Sequence, residues 1–153
     1  MLRRARFSLV ALMALPLVVS ACGGGGDGSD KEFVTDLCDA TTQLKTDFAA
    51  AVKDASGQTD SGKAVDRLIP PLEAFVKAFD DAKPPKDLKE WHNAASDQLA
   101  AAVEKFKTEK TLASLEGFGD SPVPDPPADA KARLREVAQN IDACDGVAFL
   151  KPD

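Results

Sequence analysis

The stretch SDKEFVTDLCDATTQLKTDFAAAVKDASG, residues 29–57, decides the fold class. Val34, Leu37, Thr41, Leu44, Phe48, Ala51 and Ala55 recur at spacings of three and four, the period of one helical face. Ser29 and Glu32 form the pattern S-x-x-E, a capping box that satisfies two backbone donors at a helix start. Glu32, Asp36 and Asp39 near the start and Lys53 near the end complement the helix dipole. Gly57 marks the stop. A helix this long with one apolar stripe needs other helices to cover it.

The same period continues outward. Val65, Leu68, Ile69, Leu72, Phe75, Val76 and Phe79 make a second stripe. Pro70 and Pro71 interrupt it without changing its phase, so one helix kinked at the prolines is expected. Pro84-Pro85 ends that segment. Asp87 is placed to cap a third helix with Leu88, Trp91, Ala95, Leu99, Ala102, Val103 and Phe106 inside; residues 109–116 either continue it or form a short extra turn. Pro122 to Pro127 reads as a stiff connection. A fourth helix, from Asp125 or just after, places Ala130, Leu134, Val137, Ile141 and Cys144 on one face and stops at Gly146. Asp142 and Asp145 at its end oppose the dipole. No segment alternates as a strand does. The expectation is an all-α, antiparallel up-down four-helix bundle with a kinked second helix.

Upstream, residues 1–21 carry Arg3, Arg4 and Arg6 and then the apolar run Phe7 to Val19. A basic start, a short apolar core and a small-residue exit make a secretory signal. The run falls short of the roughly 20 residues of a membrane-spanning helix. It ends Val19-Ser20-Ala21-Cys22, followed by four glycines. This resembles the lipobox of bacterial lipoproteins. The resemblance implies cleavage before Cys22, a diacylglyceryl thioether and acyl chains such as palmitate on Cys22, and an extracytoplasmic protein anchored to the cell membrane by its N-terminal lipid. Asp, associated in that family with inner-membrane retention in Gram-negative bacteria, is absent at position 23. The chain then divides into a signal (1–21), a glycine-rich flexible tether (22–29) with a reach of roughly 15 Å, and a helical domain (30–153). In composition that domain is similar to small helical lipoproteins of unknown function, a likeness that carries over no site residues.

With Cys22 lipidated, Cys38 and Cys144 remain as an even pair outside the reducing cytoplasm. In an up-down bundle they lie at one end of the molecule, so a disulfide joining the first and last helices is expected. It would close a loop of about 107 residues and stabilise by up to roughly 4–5 kcal/mol in the chain-entropy model.

Without residues 1–21 the chain has 16 basic against 25 acidic residues, a formal charge of −9. Such a surface repels phosphate backbones, so nucleic acid is not an expected partner. Chemistry is sparse. His92 is the sole histidine, too few for a bundle di-iron site, which needs two Glu-x-x-His pairs; it is expected on a solvent-facing rim. No Cys-x-x-Cys-His is present for haem, and neither metal nor cofactor is expected. Asp36, Asp39, Asp80 and Asp81 read as a solvated face rather than as acid/base pairs. The expected function is non-enzymatic: a protein-interaction or sensor module at the cell envelope. The alternative is a carrier holding a small apolar or amphipathic ligand between helices, in a groove of Leu72, Phe75, Phe79 and Trp91 opened by the proline kink. A carrier requires an empty apolar cavity there; an adaptor requires a filled core and an exposed apolar patch. The Pro122–Pro127 segment is either a strap between helices or a docking segment for a partner groove.

Overall fold

The computed structural model describes residues 27–111, 113–115, 123–146 and 150. The expected signal, the expected lipobox with Cys22, and residues 23–26 of the expected tether lie outside the described residues, as do Leu112 and residues 116–122. Among the described residues, regular structure is entirely helical: α1 (Asp30–Ser56), α2 (Ser61–Asp66), α3 (Ile69–Asp81), α4 (Lys89–Glu109) and α5 (Ala128–Ala138), with 3-10 turns at Lys86–Leu88 and Asp142–Gly146. No helix among them is long and apolar enough to cross a membrane.

The capping box opens α1. The Glu32 amide donates to Ser29 Oγ at 3.2 Å, and the Ser29 amide donates to Glu32 Oε2 at 3.1 Å. The Ser29 backbone bond, then the Ser29 hydroxyl, hold the Glu32 carboxyl below its ordinary pKa. Val34 and Leu37 of the stripe are buried, while Thr41, Leu44, Phe48, Ala51 and Ala55 are half-buried; Phe33, beside the stripe, is fully buried.

The second segment is two helices, not one kinked helix. After Asp66 the Arg67 and Leu68 amides donate to the Ala64 and Val65 carbonyls, closing a tight turn. Pro70 and Pro71 then fall in the first turn of α3. There the missing amides would have had no intrahelical partner, so the prolines start a helix rather than bend one. The tight turn keeps the apolar phase, which is why the stripe reads as continuous.

Three other boundaries differ from expectation. Asp87 does not cap α4; Leu88 precedes it with no side-chain cap, and Asp87 instead accepts from Arg133 Nη2 at 2.8 Å. Residues 109–116 do not extend α4. Lys110, at φ 49° in the left-handed region, caps the helix with its amide on the Phe106 carbonyl, and residues 113–115 are helical separately. The last helix ends at Ala138, and Asp142 opens a 3-10 turn. Asp142 therefore meets the start of a new turn, and its expected conflict with a helix C-terminus does not arise.

Cys38 and Cys144 form a disulfide with Cα atoms 4.8 Å apart. It ties α1 to the 3-10 turn after α5 rather than to that helix itself. Thr42 supports the same contact by donating to the Ala143 carbonyl at 3.2 Å.

Two apolar clusters fill the interior. One holds Phe33, Leu37, Phe79, Trp91, Leu99 and Leu134 around the disulfide. The other holds Val65, Leu68, Leu72, Val103 and Phe106, with Leu44 and Phe48 packed on them. The start of α1 thus meets the end of α3, and its last turns meet α2. Phe79 stacks on His92 while Glu73 pairs with Lys107, so α3 and α4 are also antiparallel. The Trp91 indole donates to the Pro124 carbonyl at 2.7 Å. The chain is therefore back beside the start of α4 before α5 begins. These contacts describe three antiparallel rods, α1, α2–α3 and α4, and do not establish the up-down order of four.

Candidate functional site

The residues expected to line an apolar groove are structural. Phe79 and Trp91 are buried with ring centroids 6.3 Å apart, and Phe75 lies 6.3 Å from Phe79. Leu72, 3% exposed, belongs to the other cluster. Phe75, Phe79 and Trp91 pack in or against the first cluster and Leu72 in the second. Helix α3 turns Phe79 onto Trp91 and His92 of α4.

His92 is buried, not on a rim: it is 4% exposed. Its Nε2 lies 2.7 Å from the Phe79 carbonyl, which can only accept, so Nε2 carries the proton. The ring stacks on Phe79 at 5.0 Å and meets Phe33 edge-on at 5.6 Å. Sequence spacing held the signal for this. His92 is four residues after Leu88 and next to Trp91, inside the apolar stripe. Ser96, one turn on, donates to Asp80 Oδ1 at 2.6 Å. A nucleophilic serine needs its hydroxyl on a base such as histidine; here serine and histidine each bond elsewhere.

The acidic residues behave as a surface. Asp81 pairs with Lys77, and its hydrogen bond raises the lysine pKa. Lys107, between Glu104 and Glu73, is pushed up to about 12, with the Glu104 bond the larger cause. Asp36 and Asp39 are exposed. Among the described residues no three His, Cys, Asp or Glu side chains are grouped to hold a metal. The proline segment turns inward: Pro124 accepts from Trp91 and Pro126 is buried, the behaviour of a strap.

The end at which α1 starts is tightly tied. Arg133 Nε donates to Asp30 at 2.6 Å while its Nη2 holds Asp87. The bond to Asp87, then that to Asp30, raises the guanidinium pKa, and the Arg133 bond lowers that of Asp87. The last tether residues join in. Asp27 pairs with Lys89, and the Gly28 amide donates to the Pro84 carbonyl at 3.2 Å. A Cβ on Gly28 would come within 1.8 Å of the Lys83 carbonyl oxygen, so only glycine fits that approach. Residues 27–29 are thus docked rather than free tether.

The opposite end is open. The last turns of α1, helix α2 and the residues after α4 enclose a pocket of about 580 Å³, lined by Val52, Val65, Leu68 and Lys110 among others. Val52, 46% exposed, is the large hydrophobic residue left on the surface among the described residues. No sequence reading singled it out, because the pocket is assembled from three separate segments. Comparison with protein-family models, with curated proteins and with solved structures finds no match for this chain.

Proposed function

We propose that this chain is a lipid-anchored, extracytoplasmic recognition module, an adaptor or sensor without catalytic activity, which presents the end of its bundle remote from the anchor. The observation that carries this reading is the contrast between a filled core and an apolar mouth beside the exposed Val52. A filled core with an exposed patch is the pattern of an interaction module. The carrier alternative, with a ligand among Leu72, Phe75, Phe79 and Trp91, would need space that the packed side chains occupy. The lack of catalysis is supported by polar groups that do not converge: His92 is bonded to a carbonyl and Ser96 to Asp80.

Anchoring rests on Arg3, Arg4, Arg6 and Val19-Ser20-Ala21-Cys22. The buried Cys38–Cys144 bond is in keeping with an oxidising compartment. The anchor would enter where Asp27 and Gly28 dock, beside the α3–α4 connection. We read the architecture as a three-rod bundle with α5 and its 3-10 turn laid against α1 at the anchored end.

The test is the intact mass of the protein extracted from its own membrane. The expected species begins at Cys22, carries a diacylglyceryl group and one further acyl chain or none, and has an oxidised cysteine pair. A species that keeps residues 1–21, or starts at Cys22 without lipid, overturns the anchoring. Cys22→Ser is expected to release the domain from the membrane fraction.

A further inference from the structure

Between Cys22, the expected lipid-bearing residue, and α1 the sequence has seven residues, Gly23 to Ser29. Segments that join an anchor to a domain are where proteolysis concentrates, because cleavage needs chain that can leave the surface. Most endoproteases also read a side chain next to the bond they cut. The first four of the seven residues are glycines, which present no side chain to read.

The structure holds the other three. Asp27 pairs with Lys89, the first residue of α4. The Gly28 amide donates to the Pro84 carbonyl at 3.2 Å. The Ser29 amide and hydroxyl both donate to Glu32 Oε2. Asp30, next in the chain, is held by Arg133. The closest approach is at Gly28, where a Cβ would lie 1.8 Å from the Lys83 carbonyl oxygen and 2.7 Å from its carbon. Both are backbone atoms that cannot swing aside, so a side chain at position 28 would lift the segment off the bundle. A capping box needs only Ser29 and Glu32. The contacts of Asp27 and Gly28 do nothing for the start of α1, and what they do is keep two further residues on the surface.

We infer that residues 27–29 form a docked root that protects the anchored protein against proteolytic shedding. Asp27 and Ser29, the residues with side chains between Cys22 and α1, are held against the bundle, and the remainder up to Gly28 is glycine. The inference rests on reading Cys22 as the lipid-bearing N-terminus.

The test uses the protein extracted from its own membrane and reinserted into phosphatidylcholine vesicles with the domain outside. The vesicles are treated with an endoprotease that cuts before aspartate, for which Asp27 and Asp30 are the sites at the root. Release of the domain is followed without reductant, so that a cut between Cys38 and Cys144 leaves the pieces joined. The mass of the released species locates the cut. Gly28→Ala should be released at least about tenfold faster than the wild type, as a species beginning at Asp27 or Asp30, because cleavage follows the population of the opened segment. Lys89→Gln removes the partner of Asp27 and leaves the sequence around the cut unchanged; it should speed release by a smaller factor. Release of the wild type as fast as Gly28→Ala would overturn the inference, and so would a Lys89→Gln rate equal to that of the wild type. If Gly28→Ala lowers the thermal midpoint of the whole domain, Lys89→Gln alone decides. Protein that is already soluble before protease is added defeats the anchor reading instead, and the same cuts, read by mass on that soluble protein, still test the dock.

Discussion

The two ends of this bundle are built by different means. Where α1 starts, a disulfide, the Arg133 fork to Asp30 and Asp87, a reciprocal cap and the docked Gly28 all converge on one cluster with Phe33 at its centre. Where α1 ends, the six-residue helix α2 and a left-handed Lys110 close a smaller cluster, and Val52 stays exposed. On the function proposed above, the difference teaches where a protein of this size can place a recognition surface. Cross-links tie one end, and an apolar mouth is left at the other. Surfaces that bind are drawn from the less stabilised parts of a fold.

The largest expected effect comes from removing the cross-link. Cys38 and Cys144 are 106 residues apart, and the chain-entropy model assigns such a loop about 4–5 kcal/mol. Cys38→Ala with Cys144→Ala should lower the unfolding free energy, read by denaturant unfolding, by that much. Hydrogen exchange should then rise first in α5 and the Asp142–Gly146 turn. If it rises first in α2 instead, the stapled end does not depend on its staple and the comparison fails. Next comes the other core. Phe106 is fully buried among Val65, Leu72 and Val103. Phe106→Ala should cost about 3–4 kcal/mol, read by denaturant unfolding, and should loosen α2 while leaving α5 protected.

Much of the stapled end was legible in the sequence because its signals are local or paired. Ser29 and Glu32 sit three apart and form the box they spell. Cys38 and Cys144 pair as their number and placement predict, although α5 reaches the contact by another route. Non-local geometry was not legible. The break at Arg67–Leu68 keeps the apolar phase, so periodicity cannot register it. Asp87 has the side chain of a cap, yet Arg133, 46 residues away, takes it. His92 lies in the buried stripe, but its polarity argued against burial until the Phe79 carbonyl supplied an acceptor. The mouth beside Val52 needs three segments brought together, which no spacing encodes.

A smaller effect separates the ends by pH. Arg133 holds the Asp87 carboxyl below its usual 3.8, and Ser29 does the same for Glu32. A depressed carboxyl contributes stability that is present above its ordinary pKa and lost as pH falls through the folded value. Both groups lie at the stapled end, so acid should loosen that end first. Arg133→Met should lower stability at pH 7 by a small amount that vanishes towards pH 3. A difference that persists at pH 3 would mean that the arginine stem, packed against its neighbours, matters more than its charge.

The smallest effect tests the open end. Lys110 holds a left-handed conformation, which a residue with a Cβ adopts at some cost and glycine adopts freely. Lys110→Gly should therefore relieve about 0.5–1 kcal/mol. Against this stands the pair with Asp66, in which both side chains are nearly half exposed, at 47% and 48%, so its loss should subtract only a few tenths of a kcal/mol. The net change expected in thermal unfolding is a slight gain in stability. If glycine stabilises the fold, the Lys110–Asp66 pair is not what holds the open end, and the contrast with the stapled end stands. If glycine destabilises the fold, Lys110–Asp66 is a fastening of the open end in its own right, and the contrast between the two ends is one of degree.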